Sequence, residues 1–371
     1  MRSLNSSAAR ELPLEDLRVS VFTVPTEEVE SDGGLTWDKV SVVWVEVEAG
    51  GRTGVGYTYA DPAAARLIDG LLREALEEAD LFEIPRCFET MARAVRNAGR
   101  LGVAAAAISA VDTALWDLKA RFLNLPLVLL LGRRRESVPI YGSGGFTSYS
   151  VAELQRQMAG WTEAGIPRVK MKVGREPAAD RERVLAARAA IGEAPELFVD
   201  ANGAYAPKQA LDLAQAFQEA GVTWFEEPVP ADDLRALAFV RAQLPPPMEL
   251  AIGEYANTGR DFMRILEAGA VDVLQADASR CGGVTGFLQA GELAHGFGVE
   301  LSSHTAPALH LHLAAAVPGF RHLEYFHDHV RIEDLLLEGL PAPVRGQWRP
   351  DVSRPGLGIE LRTADAQRYA A

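Results

Sequence analysis

Lys172, Asp200, Glu226, Glu254, Asp277, His304 and Glu324 each follow a short apolar run. Successive members lie roughly 20 to 28 residues apart, about the length of one strand–helix unit in a barrel of parallel strands. Lys170 precedes the first of them by two positions. Parallel barrel strands all end at one rim, so residues spread along the chain converge on one pocket. Carboxylates, amines and an imidazole gathered there are the equipment for metal-assisted removal of a proton from carbon.

Asp200, Glu226 and Glu254 end three consecutive expected strands and therefore stand side by side on one arc of the rim. Three carboxylates without a cysteine or histidine form a hard-oxygen set, which selects Mg²⁺ or Mn²⁺ over zinc or copper. Capping of the following helices would account for any one of these acids, but poorly for three in succession. Strand parity leaves open whether Glu226 or Glu227 points inward.

Lys170 and Lys172 are two apart on one strand and so share a face, the barrel mouth, with Val169, Met171 and Val173 turned to the helices. Mutual repulsion is expected to lower their pKa values and bring one nearer to a useful base. The alternative is a pair of rim lysines neutralised by Asp200 and Glu226. His304 ends the seventh expected strand and Asp277 the sixth, so the carboxylate is expected to hold one ring nitrogen and fix the tautomer. Glu324, on the eighth, would donate a hydrogen bond to an enolate oxygen if burial raises its pKa. A carboxylate substrate on the metal would lie between Lys172 and His304. His327 and His329, just past Glu324, read as solvated loop residues, with a place in the pocket lining as the alternative.

These residues need a scaffold that the rest of the chain must build. From Leu17 to about Tyr59 the pattern is β, including the β-branched run Val40–Glu48 and a Gly50-Gly51 turn. The acidic stretch Val24–Asp38 reads as a loop, either a solvated face or a lid over the pocket. Helical spacing follows at Ala63–Ala79 and Ala104–Phe122. After Gly132, eight apolar runs alternate with helix-length segments, the arithmetic of a (β/α) barrel. The expected division is an α+β capping domain over residues 1–133, a barrel over 134–339, and a Pro- and Gly-containing tail, 340–371, packing back on the cap. The first ten or so residues read as a polar tail.

The chain has 371 residues and a formal charge of -14, which argues against nucleic-acid or anionic-membrane partners. If the substrate is an acid, the pocket must be locally positive on a negative molecule. Two distant cysteines, Cys87 and Cys281, give no disulfide framework or zinc pattern, and no apolar segment has signal-peptide or membrane-spanning length. A cytoplasmic setting is the expectation.

In this order the motifs resemble the mandelate racemase subgroup of the enolase superfamily over nearly the whole chain. They are Val169-Lys170-Met171-Lys172-Val173-Gly174, Val199-Asp200-Ala201-Asn202, Trp224-Phe225-Glu226-Glu227-Pro228, Ile252-Gly253-Glu254, Gln275-Ala276-Asp277, Ser302-Ser303-His304 and His322-Leu323-Glu324. Enzymes of that superfamily use a Lys or His base with one or two Mg²⁺ ions. The resemblance implies an α+β capping domain plus a (β/α)7β TIM-like barrel, with Mg²⁺ on Asp200, Glu226 and Glu254, and so favours Glu226 over Glu227. It implies Lys172 as one base with Lys170 assisting, His304 paired to Asp277 as the other, Glu324 as electrophile and Asn202 near the substrate. It further implies a small-molecule carboxylate partner and a symmetric homo-oligomer. The full Lys-x-Lys plus His–Asp set leads to an expected acid-sugar dehydratase, with a racemase or epimerase of a 2-hydroxy acid as the alternative.

Overall fold

The computed structural model describes residues 11–371; the expected polar N-terminal tail lies outside them. An antiparallel sheet of β1 (Asp16–Ser31), β2 (Thr36–Ala49) and β3 (Arg52–Tyr59) opens the chain. From Val42 to Val45 β2 is an unbroken apolar, buried run because both its faces are covered there. Val43, Val45 and Val47 pack with the cap helices, while Val42 and Trp44 join the core shared with the barrel. The helix Val103–Phe122 lies so close on β3 that a Cβ at Gly54 or Gly56 would run into the carbonyl oxygens of Ala114 and Ala110. Glycine is required there for its missing side chain.

The loop expected over Val24–Asp38 is mostly strand. β1 continues to Ser31, with a break in register between Pro25 and Glu30, and the turn is confined to Asp32–Leu35. Pro25 lacks an amide proton and falls at the bulge, after which Glu30 and Ser31 pair again with Trp37 and Thr36. Glu27 and Glu28 are solvated, but Glu30 is fully buried, so the acidic run is not one solvated face. The helix expected at Ala63–Ala79 ends at Ala75 and contains a π-helical turn, Ile68–Leu72.

Eight parallel strands follow: β4 (Val138–Gly144), β5 (Arg168–Lys172), β6 (Glu196–Asp200), β7 (Val222–Glu226), β8 (Glu249–Ile252), β9 (Val273–Ala276), β10 (Glu300–Ser303) and β11 (Leu323–Phe326). Their order is β10-β9-β8-β7-β6-β5-β4-β11. The seam between β10 and β11 is drawn together by Arg321 N–H donating to Leu301 O at 2.8 Å and Ser303 N–H to His322 O at 3.3 Å. Seven helices stand between the eight strands, which gives the (β/α)7β barrel, capped by the N-terminal sheet and helices.

Tyr141, Phe198, Trp224, Ala251 and Val273 fill the barrel interior beneath the rim. Trp224 therefore fixes the parity of β7, and Glu226, two residues on, points inward above it. Val169, Met171 and Val173 belong to the outer core, so Lys170 and Lys172 face in. The tail touches both units: Trp348 pairs with Val138 of β4, and Leu357 N–H donates to Asp117 of the cap helix. No helix among the described residues is long and apolar enough to cross a membrane.

Candidate metal centre and its flanking bases

Parallel pairing sets Lys172, Asp200 and Glu226 at one level, because Lys172 lies opposite Asp200 and Asp200 opposite Glu226. Glu254 enters from just beyond β8. The preceding Gly253 has φ +136, and a Cβ there would strike the Gln275 carbonyl oxygen, so this turn admits only glycine without strain. Asp200, Glu226 and Glu254 are buried and offer oxygens within 4.8 Å of one another.

Each carboxylate of this triad is held differently. Asp200 Oδ1 accepts from Asn202 N–H at 2.9 Å and Oδ2 from Lys172 Nζ at 2.5 Å. Glu226 Oε1 accepts from Lys170 Nζ at 2.6 Å and Oε2 from Trp224 Nε1 at 2.9 Å. Glu254 Oε2 is buried and accepts no hydrogen bond. A buried carboxylate oxygen without a donor is costly. Burial and the neighbouring Asp200 push Glu226 well above the usual carboxylate range, and burial with Glu254 does the same to Glu227. Hard oxygen donors, crowded negative charge and an unpartnered oxygen together fit a divalent cation. Glu227 is buried too, but it is not in the triad.

The expected mutual lowering of the two lysines is reversed. Burial opposes charge on Lys170, but Glu226 and Glu324 outweigh it and hold the amine well above its ordinary range. Burial likewise opposes charge on Lys172, and Asp200 raises it. Ion pairs under 3 Å decide the matter: Lys170 Nζ lies 2.6 Å from Glu226 and 2.8 Å from Glu324. The raised pKa considered for Glu324 is reversed as well. Burial works to raise it, but Lys170 holds it below the usual range. Ser143 Oγ–H and Thr305 N–H donate to its two oxygens, so it stands as an acceptor.

On the far side of the triad, His304 Nδ1 lies 2.9 Å from Asp277 Oδ2 and Nε2 lies 3.3 Å from Glu254 Oε2. Burial works to raise Asp277, but the His304 bond and the Arg280 guanidinium hold it below the usual range. Lys172 and His304 thus touch opposite members of the triad, Asp200 and Glu254. Both line a cavity of about 840 Å³ between barrel rim and cap, with Asn202, Tyr59, Lys39 and His329 in its wall.

Three further residues shape this arrangement, and the strand-end pattern does not single them out. Trp224 shares the inward parity of Glu226, a signal present in the sequence. Arg280, three residues past Asp277, lies 3.4 Å from it and 3.5 Å from Glu254. His329 is a helix residue, only 7% exposed and part of the cavity wall, whereas His327 is partly solvated and pairs with Glu27 at 3.0 Å. The buried face His329, Ile332, Glu333 and Leu336 has helical spacing that distinguishes it from a loop.

Comparison with known proteins gives consistent matches along the chain. Residues 23–132 match the mandelate racemase/muconate lactonizing enzyme N-terminal domain, and residues 153–366 the enolase C-terminal domain-like family. A mandelate racemase/muconate lactonizing enzyme-like protein from Rubrobacter xylanophilus is 51% identical and superposes with a TM-score of 0.95, covering 97% of this chain and all of that one. L-talarate/galactarate dehydratase from Salmonella typhimurium is 34% identical over 89% of this chain and 83% of its own. Its structure liganded with Mg and L-lyxarohydroxamate superposes with a TM-score of 0.91, at 30% identity over all of this chain and 96% of that one. A 3,6-anhydro-alpha-L-galactonate cycloisomerase from Streptomyces coelicolor is 35% identical over 94% of this chain and 97% of its own.

Proposed function

As this chain belongs to the mandelate racemase/muconate lactonizing enzyme family of the enolase superfamily, we propose that it is a Mg²⁺-dependent acid-sugar dehydratase. The observation that carries the reading is the carboxylate triad with Lys172 against one end and the Asp277-bound His304 against the other. The dehydratase and cycloisomerase relatives support an enzyme that works on sugar acids.

A divalent cation held by Asp200, Glu226 and Glu254 supplies, when bound, Lewis-acid polarisation of the substrate carboxylate and positive charge that relieves Lys172 of its partner. Lys172 Nζ then takes the proton from the carbon next to the carboxylate. A placed general base contributes roughly 3 to 5 kcal/mol, from its typical hundred- to ten-thousand-fold effect. His304, with Nδ1 committed to Asp277, works through Nε2 and gives a proton to the departing β-hydroxyl. One C–H and one C–O bond break, water leaves, and the enol becomes a 2-keto-3-deoxy acid. Lys170 neutralises charge at the substrate carboxylate, Glu324 holds Lys170 and the Thr305 amide in place, and Asn202 borders the substrate.

The test is a panel of aldonates and aldarates with Mg²⁺, read for 2-keto-3-deoxy acids and for solvent deuterium at the α-carbon. Keto-acid formation is the expected result. Exchange without keto acid would identify a racemase or epimerase using the same two bases. No reaction with any acid refutes the proposal.

A further inference from the structure

His329 has no part in the chemistry above, yet it is built into the cavity wall with one polar atom left over. Its ring stacks on Tyr59 of the cap, centroids 3.4 Å apart at 13°, and meets the edge of Phe326 at 5.1 Å. Ala306 N–H donates to its Nδ1 at 3.0 Å. A nitrogen that accepts from an amide carries no proton, so the ring proton sits on Nε2. Burial holds the ring pKa well below the ordinary histidine range, in keeping with a neutral ring. Nε2 finds no hydrogen-bond partner among the described residues, and the side chain borders the same cavity as Lys172 and His304. A fixed donor that faces a substrate cavity, with no protein acceptor, is free to donate to an oxygen of the ligand in place of water.

We infer that His329 is a specificity-determining residue whose Nε2–H donates to an oxygen of the acid-sugar chain beyond the reacting carbons. The inference rests on the acid-sugar reading and names which end of the substrate this wall recognises. The acceptor is a hydroxyl or a distal carboxylate oxygen. Either suits a neutral donor held rigidly by stacking, because nothing must be reoriented on binding.

His329 also has a structural duty, which the test must separate. Thr305 and Ala306 both have positive φ, +45 and +38, and Nδ1 anchors the Ala306 amide in that turn behind His304. His329→Asn keeps an acceptor near the Nδ1 position and loses the cavity donor. His329→Gln keeps a donor near the Nε2 position and loses the anchor.

The measurement is kcat/KM for six-carbon acids relative to 2,3-dihydroxypropanoate, which has the reacting carbons and no distal oxygen. In His329→Asn this ratio should fall about tenfold if the acceptor is a hydroxyl, and towards a hundredfold for aldarates if it is a carboxylate. His329→Gln should restore most of it. A near-normal ratio in His329→Asn with an impaired His329→Gln leaves only the structural duty and overturns the inference. As an independent readout, the ¹⁵N resonance of His329 Nε2 should move when a six-carbon aldarate is added to Mg²⁺-loaded His304→Asn protein. A shift without dehydration by the wild type refutes the dehydratase reading alone. Dehydration without a shift refutes the role given to His329 alone. If no acid binds, both are wrong.

Discussion

Trp224→Phe should weaken Mg²⁺ binding without unfolding the barrel. The indole Nε1–H donates to Glu226 Oε2 at 2.9 Å from a side chain 1% exposed, and the ring stacks on Phe198 at 5.3 Å. Phenylalanine keeps an aromatic face there and removes only the donor. A buried hydrogen bond to a charged acceptor contributes about 1.5 to 3 kcal/mol. Burial and Asp200 already push Glu226 towards its protonated form, and removing a donor to the carboxylate pushes it further. The cation must then displace more proton to bind. Lost outer-shell hydrogen bonds typically reduce metal affinity by about 10- to 100-fold, in line with that energy. Titration calorimetry in two buffers of different ionisation enthalpy reads both affinity and protons released. Affinity within twofold of wild type, with unchanged proton release, would show that Trp224 does not tune the ligand.

Lys172→Ala and His304→Asn should each cut turnover by at least a hundredfold while leaving Mg²⁺ bound, measured by steady-state kinetics and by metal content after dialysis; near-normal turnover in either removes that residue from the mechanism. Glu333 ties cap to barrel, accepting from Tyr57 OH at 2.6 Å and Ala308 N–H at 2.9 Å, and burial pushes its pKa up to about 8. The folded state holds this proton more tightly than the unfolded chain, so its stabilising contribution is full below about pH 4.5 and is lost as pH rises through about 8. Glu333→Gln should flatten that part of the profile, by about 3 kcal/mol between pH 5.5 and 8 in urea unfolding, and an unchanged slope would contradict the assignment.

The strand ends were legible because inward residues of parallel strands must be polar only at the rim, and an apolar run followed by Asp200 or Glu226 records that change directly. The order of the strands followed from the short crossovers. What stayed hidden depends on distances across the ring. Lys170 meets Glu324 because β5 and β11 both flank β4, residues far apart in sequence; that contact reverses the expected pKa of Glu324 and, with Glu226, that of Lys170. The strand through Val24–Ser31 was hidden because Pro25 and three acids within eight residues look like a loop. Its pairing tolerates them only through a bulge and the burial of Glu30 beside Trp37 and Asp328. Strand parity alone left Glu226 and Glu227 open; the family resemblance favoured Glu226, and Trp224 inside the barrel fixes the parity that turns Glu226 inward.

The net charge of -14 sharpens what the triad must do. Around it, Lys170, Lys172 and Arg280 face Asp200, Glu226, Glu254, Asp277 and Glu324, three formal positive charges against five negative. Such a cluster repels a sugar acid, and the lysines are already occupied by carboxylates. A divalent cation brings the formal sum to zero and releases the amines to meet the substrate, so metal has to bind before acid. Calorimetry should therefore detect no aldarate binding to protein stripped with EDTA and clear binding once Mg²⁺ is restored. Equal affinity in both states would mean that the two lysines alone make the pocket attractive, and that the metal's role in recognition has been misassigned.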